Sequence, residues 1–121
     1  MGNYLTRFPE NAPYLCPVGR YRALLVSIYD GDTQTYIIRF QGKYFKIKVR
    51  VADIDTPELH EYNGNIAKIR AAELIGKNKL VTLICRKPDK YGRILAEVIT
   101  RSGVNLGQQL LKEGLAKPYP K

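Results

Sequence analysis

Lys43-Tyr44-Phe45-Lys46-Ile47-Lys48-Val49-Arg50-Val51-Ala52 alternates almost without interruption. Phe45, Ile47, Val49 and Val51 fall on one side, Lys46, Lys48 and Arg50 on the other. A period of two residues is that of a β-strand, here with one face for the core and one basic face. The run leads straight into Asp53-Ile54-Asp55-Thr56-Pro57-Glu58. Pro57 has no amide proton for a sheet ladder and biases Thr56 toward an extended backbone, so the strand stops and the chain turns out of the sheet. Asp53, Asp55 and Glu58 are left at the strand's mouth, with Arg50 a few residues behind. Alone, such acids read as well as a solvated turn. Carboxylates beside a guanidinium also suit a divalent metal and a phosphate held together.

Outward from this strand the pattern repeats. Tyr21–Tyr29 and Thr33–Phe40 read as two strands before it, joined by turns at Asp30-Gly31-Asp32 and Gln41-Gly42. After it come a loop at Thr56–Gly64 and a helix over Asn65–Lys77, whose buried stripe is Ala67, Ala71, Leu74 and Ile75. Leu80–Cys85 and Arg93–Ile99 are further strands, separated by the loop Pro88-Asp89-Lys90-Tyr91-Gly92. Asn105 caps a short last helix, with Gln108 placed as in a capping box, Leu106, Leu110 and Leu111 facing the core and Gly114 ending it. The fold class is therefore mainly β with α. It is a five-stranded OB-type barrel with a helix before the fourth strand and a short C-terminal helix.

The chain has 121 residues, the size of one domain. Residues 1–20, with Pro9, Pro13 and Pro17, read as an extended arm that packs on the body through Tyr4, Phe8 and Tyr14. Twenty Lys and Arg against eleven Asp and Glu give a net charge of +9, which points to a polyanionic partner. Six of the eleven acids lie between residues 30 and 61: Asp30, Asp32, Asp53, Asp55, Glu58 and Glu61. Phosphate binding alone gains nothing from clustered carboxylates; a metal held beside phosphate needs them. Hard oxygen donors select Ca²⁺, Mg²⁺ or Mn²⁺. With one histidine, His60, and two cysteines outside any ligand pattern, zinc and a disulfide framework have no support. The N-terminus lacks the shape of a signal peptide, so an intracellular location is the expectation. Met1–Thr6 fits the N-myristoylation pattern, a short one that chance often matches; membrane association through Gly2 is a minor reading.

Asp30-Gly31-Asp32-Thr33 alone is a common hairpin turn, and Arg93 alone a surface arginine. Together with Arg50, with Asp55-Thr56-Pro57-Glu58, with Asp89-Lys90-Tyr91-Gly92-Arg93 and with Gly114-Leu115-Ala116-Lys117 they form an ordered set. The set resembles the staphylococcal nuclease (thermonuclease-like) family, over roughly Tyr21 to Tyr119. The resemblance implies a thermonuclease-like OB-fold domain at 21–121 and Ca²⁺-dependent hydrolysis of DNA and RNA, single strands preferred, with little sequence specificity. By match, Asp32 and Asp55 ligate the metal through carboxylates and Thr56 through its carbonyl, with Asp30 behind them. Glu58 holds or activates the attacking water, and Arg50 and Arg93 clamp the scissile phosphate. Lys90 and Tyr91 meet the neighbouring phosphate, and Tyr119, a looser match, packs near the nucleotide. The loop after Glu58 is shorter than in the best-known member. The competing reading is a non-catalytic nucleic-acid-binding module of the same fold; the presence of Asp32, Arg50, Asp55, Glu58 and Arg93 argues against it.

Overall fold

The structure, a computed structural model, describes residues 15–119. Tyr4, Phe8, Tyr14 and the Gly2 pattern lie outside the described residues. The elements are β1 (Gly19–Asp30), β2 (Thr33–Phe40), β3 (Lys43–Val51), β4 (Ile54–Asp55), α1 (Gly64–Ile75), β5 (Leu80–Pro88), β6 (Ile94–Thr100), α2 (Leu106–Lys112) and β7 (Lys117–Pro118). Five strands close a barrel in the order β1-β2-β3-β6-β5, with β5 returning to β1. All pairings are antiparallel except β3 with β6, which meet in parallel only at Val49–Val51.

Alternation builds the barrel wall. Tyr36 and Ile38 of β2, Ile47, Val49 and Val51 of β3, Leu83 and Cys85 of β5, and Ala96 and Val98 of β6 point inward and are buried. Each fully buried aliphatic side chain contributes roughly 1.5–3 kcal/mol relative to exposure. α1 contributes Ala67, Ala71 and Ile75 to the interior, with Leu74 only partly buried. α2 seats Leu106 and Leu110, and its Asn105 side chain accepts the Gln108 amide as a cap. Gly107 lets α2 approach closely: a Cβ there would lie 3.3 Å from Val51 and 3.4 Å from Ile54.

Two features depart from the regular barrel. β1 carries irregularities between Leu25 and Ser27 and between Ile28 and Asp30, where Val26 and Tyr29 are the extra residues. Bulges of this kind re-aim a strand's side chains, and Asp30 ends up buried. The second feature is a two-stranded ribbon outside the barrel, β4 with β7, in which Asp55 faces Lys117. It brings residues near 118 to the mouth of β3.

Candidate nucleic-acid cleft

The turn between β1 and β2 forms one wall. Asp30 and Asp32 are 8% and 5% exposed, unusual for a hairpin tip. The Asp32 amide donates to Asp30 Oδ1 (3.1 Å), the Thr33 hydroxyl to Asp32 Oδ1 (3.1 Å), and the Thr56 amide to Asp32 Oδ2 (2.9 Å). The last bond joins segments 24 residues apart. Glycine is needed at 31 because a Cβ there would sit 2.8 Å from Thr56 Cγ2 and 3.0 Å from its Cβ. The turn is also held from inside the barrel. Tyr36 Oη donates to Gln34 Oε1 (2.6 Å), and Gln34 Nε2 donates to the Gly31 carbonyl (3.3 Å).

Arg50 stands on the outer side of β3, as its alternation requires, yet only 8% of it is exposed. Here the expectation of an open basic face gives way, because β4 and β7 fold over the end of the strand. Arg50 Nη1 donates to the Ile54 carbonyl (2.9 Å), while Nη2 lies 3.3 Å from Asp55 Oδ1 and 3.6 Å from Asp32 Oδ2. The Tyr119 ring covers the guanidinium at 4.4 Å. The residue at the bend, Asp53, has φ +69°, a conformation that Asp tolerates better than most residues. Its carboxylate takes both terminal nitrogens of Arg86 at 2.9 Å. The three carboxylates at the strand's mouth are thus divided, Asp53 to a brace, Asp55 and Glu58 to the cleft.

Glu58 is exposed on a tight loop. Its amide donates to Glu61 Oε1 (3.0 Å), and its carbonyl accepts the Glu61 amide (2.9 Å). This loop lies against the start of α1. A Cβ at Gly64 would sit 2.6 Å from the Glu58 carbonyl carbon and overlap its oxygen. On the opposite wall Asp89 Oδ1 accepts the Tyr91 and Arg93 amides (2.8 and 3.0 Å), and Oδ2 accepts Arg93 Nε (3.0 Å). Arg93 Nη2 reaches the same oxygen at 3.0 Å, so Asp89 fixes both the loop and the arginine.

These walls enclose a cleft of about 330 Å³ lined by Asp30, Asp32, Arg50, Asp55, Thr56, Glu58, Arg93 and Tyr119, together with Tyr29 and Thr33. Lys90 and Tyr91 line an adjoining cleft of about 440 Å³, which shares Arg50, Arg93 and Tyr119 with the first. Tyr91 is 71% exposed, with Lys90 Nζ 5.2 Å and Arg93 Cζ 5.5 Å from its ring.

Charge is crowded in the first cleft. Burial and a hydrogen bond with Asp32 push the Asp30 carboxyl up to about 6. Burial acts in the same sense on Asp32, but the bonds from Asp30 and the Thr56 amide, with the Arg50 charge, hold it below the usual carboxylate range. Burial and then the Asp32 charge raise Asp55, against the opposing effect of Arg50. One guanidinium therefore does not neutralise the carboxylates around it. Among the described residues no three His, Cys, Asp or Glu side chains gather as a complete metal cage. The Thr56 hydroxyl is buried without a hydrogen-bond partner.

The supports that sequence reasoning missed are Gln34, Gly64 and Arg86, while Gly31 and Asp89 stood in the quoted motifs without a role of their own. Gln34 had a signal, a polar residue on the apolar phase of β2. The Asp53–Arg86 pair had none, since 33 residues separate the partners.

Residues 48–121 match the family described as "Staphylococcal nuclease homologue". A protein of Escherichia coli described as an uncharacterized endonuclease is 30% identical over 115 residues, 95% of this chain and 71% of that protein. A Haemophilus influenzae protein of the same description is 35% identical over 95 residues, 78% of this chain and 51% of its own length. A Shigella flexneri protein described as micrococcal nuclease is 32% identical over 107 residues, covering 82% of this chain and 59% of that one. The family match takes in Arg50, Asp55, Thr56, Glu58 and Arg93, and the E. coli similarity extends across nearly the whole chain; the chain belongs to the staphylococcal nuclease homologue family.

Proposed function

We propose that the protein is a Ca²⁺-dependent nuclease that hydrolyses phosphodiester bonds of DNA and RNA with little sequence specificity. The observation that carries this reading is the joint placement of Asp32, Asp55, Arg50 and Arg93 around one cleft. The nuclease descriptions of the E. coli and S. flexneri relatives support it.

The donor set fits a hard divalent cation completed by substrate. The Asp32 and Asp55 carboxylates and the Thr56 carbonyl would hold it. Those three donors would leave the other positions of the ion, roughly 6–8 oxygens for Ca²⁺, to water and substrate phosphate. When bound, the ion supplies positive charge for a phosphoryl oxygen and the approaching water.

The remaining steps belong to the chain's own groups. Arg50, immobilised through Nη1 on the Ile54 carbonyl, presents Nη2 to the cleft. Arg93, held by Asp89 through Nε and Nη2, keeps Nη1 without a partner among the described residues. Both are donors fixed before substrate arrives, suited to the charge that builds on the phosphoryl oxygens during displacement. Glu58, exposed at the rim, takes the proton of the attacking water. Lys90 and Tyr91 receive the next phosphate, and Tyr119 offers its ring to the nucleotide while holding Arg50 in place. Asp30, protonated at neutral and lower pH more than an ordinary carboxyl, orders the turn that carries Asp32.

The test is cleavage of single-stranded DNA and of RNA with Ca²⁺ or with EDTA, for the parent, Asp32→Asn and Asp55→Asn. Cleavage by the parent with Ca²⁺ alone, lost in both variants, is the expected result. Unchanged cleavage in EDTA would remove the metal, and binding without any cleavage would make the protein a non-catalytic module.

A further inference from the structure

Apart from Arg50, the basic outer face of β3 does not line the cleft. Tyr44, Lys46, Lys48 and Arg50 lie on one side of this strand at alternate positions, and side chains so placed stand about 6.7 Å apart along it. Tyr44 is 74% exposed, and Lys46 and Lys48 are exposed beside it. Arg50 closes the row inside the cleft. Across β2 the partners are Arg39 opposite Tyr44, Ile37 opposite Lys46 and Thr35 opposite Lys48, with no acid among them. Arg39 lies 5.9 Å from the Tyr44 ring. β6 joins β3 only from Val49 onward, so no barrel strand flanks the Lys43–Lys48 half on that side. Neither lysine forms an ion pair among the described residues, whereas Arg50, Arg70, Arg86 and Arg93 all do. A surface lysine row next to threonine and isoleucine is unneutralised charge at phosphate-like spacing, ended by an aromatic ring.

The geometry points to this face as a track for an extended single strand of nucleic acid, along which Lys48 and Lys46 take successive phosphates outward from Arg50 and Tyr44 stacks a base at the far end. This rests on the proposed cleavage site at Arg50 and adds to it a binding surface for substrate several nucleotides away. Positive grooves with interspersed aromatics bind single strands without regard to sequence, and the outer face of the second and third strands is where barrels of this type take oligonucleotides. A duplex fits less well, because both strands would have to follow one flat β-ribbon. The track therefore favours single-stranded substrate and makes affinity depend on substrate length.

The experiment measures binding in EDTA, so that it does not depend on cleavage. Fluorescence anisotropy of an oligothymidylate of about 16 nucleotides, the upper range of site sizes for such barrels, is followed between about 50 and 200 mM salt. The proteins are the parent, Lys46→Gln with Lys48→Gln, Tyr44→Ser, and Lys77→Gln with Lys79→Gln as a charge-matched control on the turn between α1 and β5. The track lysine pair should weaken binding and flatten the slope of log affinity against log salt by about 1.4, at about 0.7 for each lysine. Tyr44→Ser should weaken binding with the slope unchanged, and a dinucleotide, too short to leave the cleft, should bind all variants alike. Parental affinity in the track variant, or an equal loss in the control, would overturn the track. So would a variant defect seen on phosphatidylserine vesicles and not on the oligonucleotide, which would make the face a membrane surface. If the parent cleaves nothing while the track variant still loses binding, the cleavage reading fails and the track stands.

Discussion

Arg50 and Arg93 face one cleft but are held in different ways. Arg93 is fixed by a single half-buried carboxylate, Asp89, which keeps its bonds to the loop amides when the arginine is replaced, so the fold should stay intact. Arg93→Lys keeps the charge and loses the planar fork; kcat should fall on the order of a hundredfold, as on loss of one preplaced donor, with KM little changed and the melting temperature parental. Arg50 also braces the Ile54 carbonyl and the two aspartates. Arg50→Lys should lose kcat to a similar extent and also about 1–3 kcal/mol of stability, the cost of unsatisfied buried partners. Steady-state kinetics on single-stranded DNA with saturating Ca²⁺, beside a thermal melt, separate the two; a near-parental kcat for Arg93→Lys would return it to an ordinary surface arginine. A further residue-scale expectation concerns the buried relay behind the aspartate turn. Tyr36→Phe deprives Gln34 Oε1 of its donor and should cost about 1–3 kcal/mol in denaturant unfolding. An unchanged midpoint would show that Gln34 finds another partner. At this scale the sequence was only partly readable. Alternation assigns Arg50 to the outside and cannot report that another segment covers it. Alternation also puts Gln34 on the inside, but not what it bonds there.

α1 serves two neighbours. At its start, Gly64 leaves room for the Glu58 carbonyl. Gly64→Ala should push the Glu58 loop outward, lowering kcat severalfold or more while substrate binding in EDTA stays parental. Equal kcat in the alanine variant would show that the loop relaxes without moving the carboxylate. Further along, Arg70 donates to both oxygens of Glu113 at 2.7 and 2.9 Å, tying α1 to the end of α2, and Gln109 adds a bond at 2.7 Å. The Arg70 bond first, then Gln109, depress the Glu113 carboxyl to about 2. A depressed acid stabilises the fold above its ordinary value and loses that contribution as pH falls toward the depressed one. The parent's advantage over Glu113→Gln in melting temperature should therefore be full above about 4.3, the ordinary value, and vanish as pH approaches about 2. An advantage that does not vary with pH would mean the helices are joined by packing alone. Both helices were legible in outline, α1 from its Ala67, Ala71, Leu74 and Ile75 stripe and α2 from its Asn105 cap and leucine spacing. β4 and β7 were not, because two-residue strands show no period; only their partner across the ribbon makes them strands.

At the scale of the whole molecule the barrel follows from a few alternating runs, and β2 begins and ends where its pattern does. Parallel closure of β3 on β6 has no such mark: Val49 and Ile94 are far apart in the chain and meet only because five twisted strands must close. The cleft inherits this non-locality. Its residues come from the β1–β2 turn, the end of β3, β4 and the loop after it, the Asp89 loop and the segment after β7, and the motifs named them without saying which would touch.

The ribbon that carries Tyr119 to Arg50 is two residues long on each side, and beyond it the Tyr119 amide is tied to the Asp53 carbonyl at 2.9 Å. Short peripheral pairings open at much lower free energy than the barrel that supports them. On the role proposed for Tyr119, competence and foldedness should be separate equilibria: some intact barrels should have Tyr119 clear of Arg50, and a melting curve would count them all as native. The proton of one amide, that of Tyr119, distinguishes them. Its exchange rate in heavy water reports the fraction of molecules with the ribbon open, and should exceed that of the Val49 and Val51 amides by orders of magnitude. Ligands that pack against the tyrosine ring should slow it while leaving the slow core amides where they were.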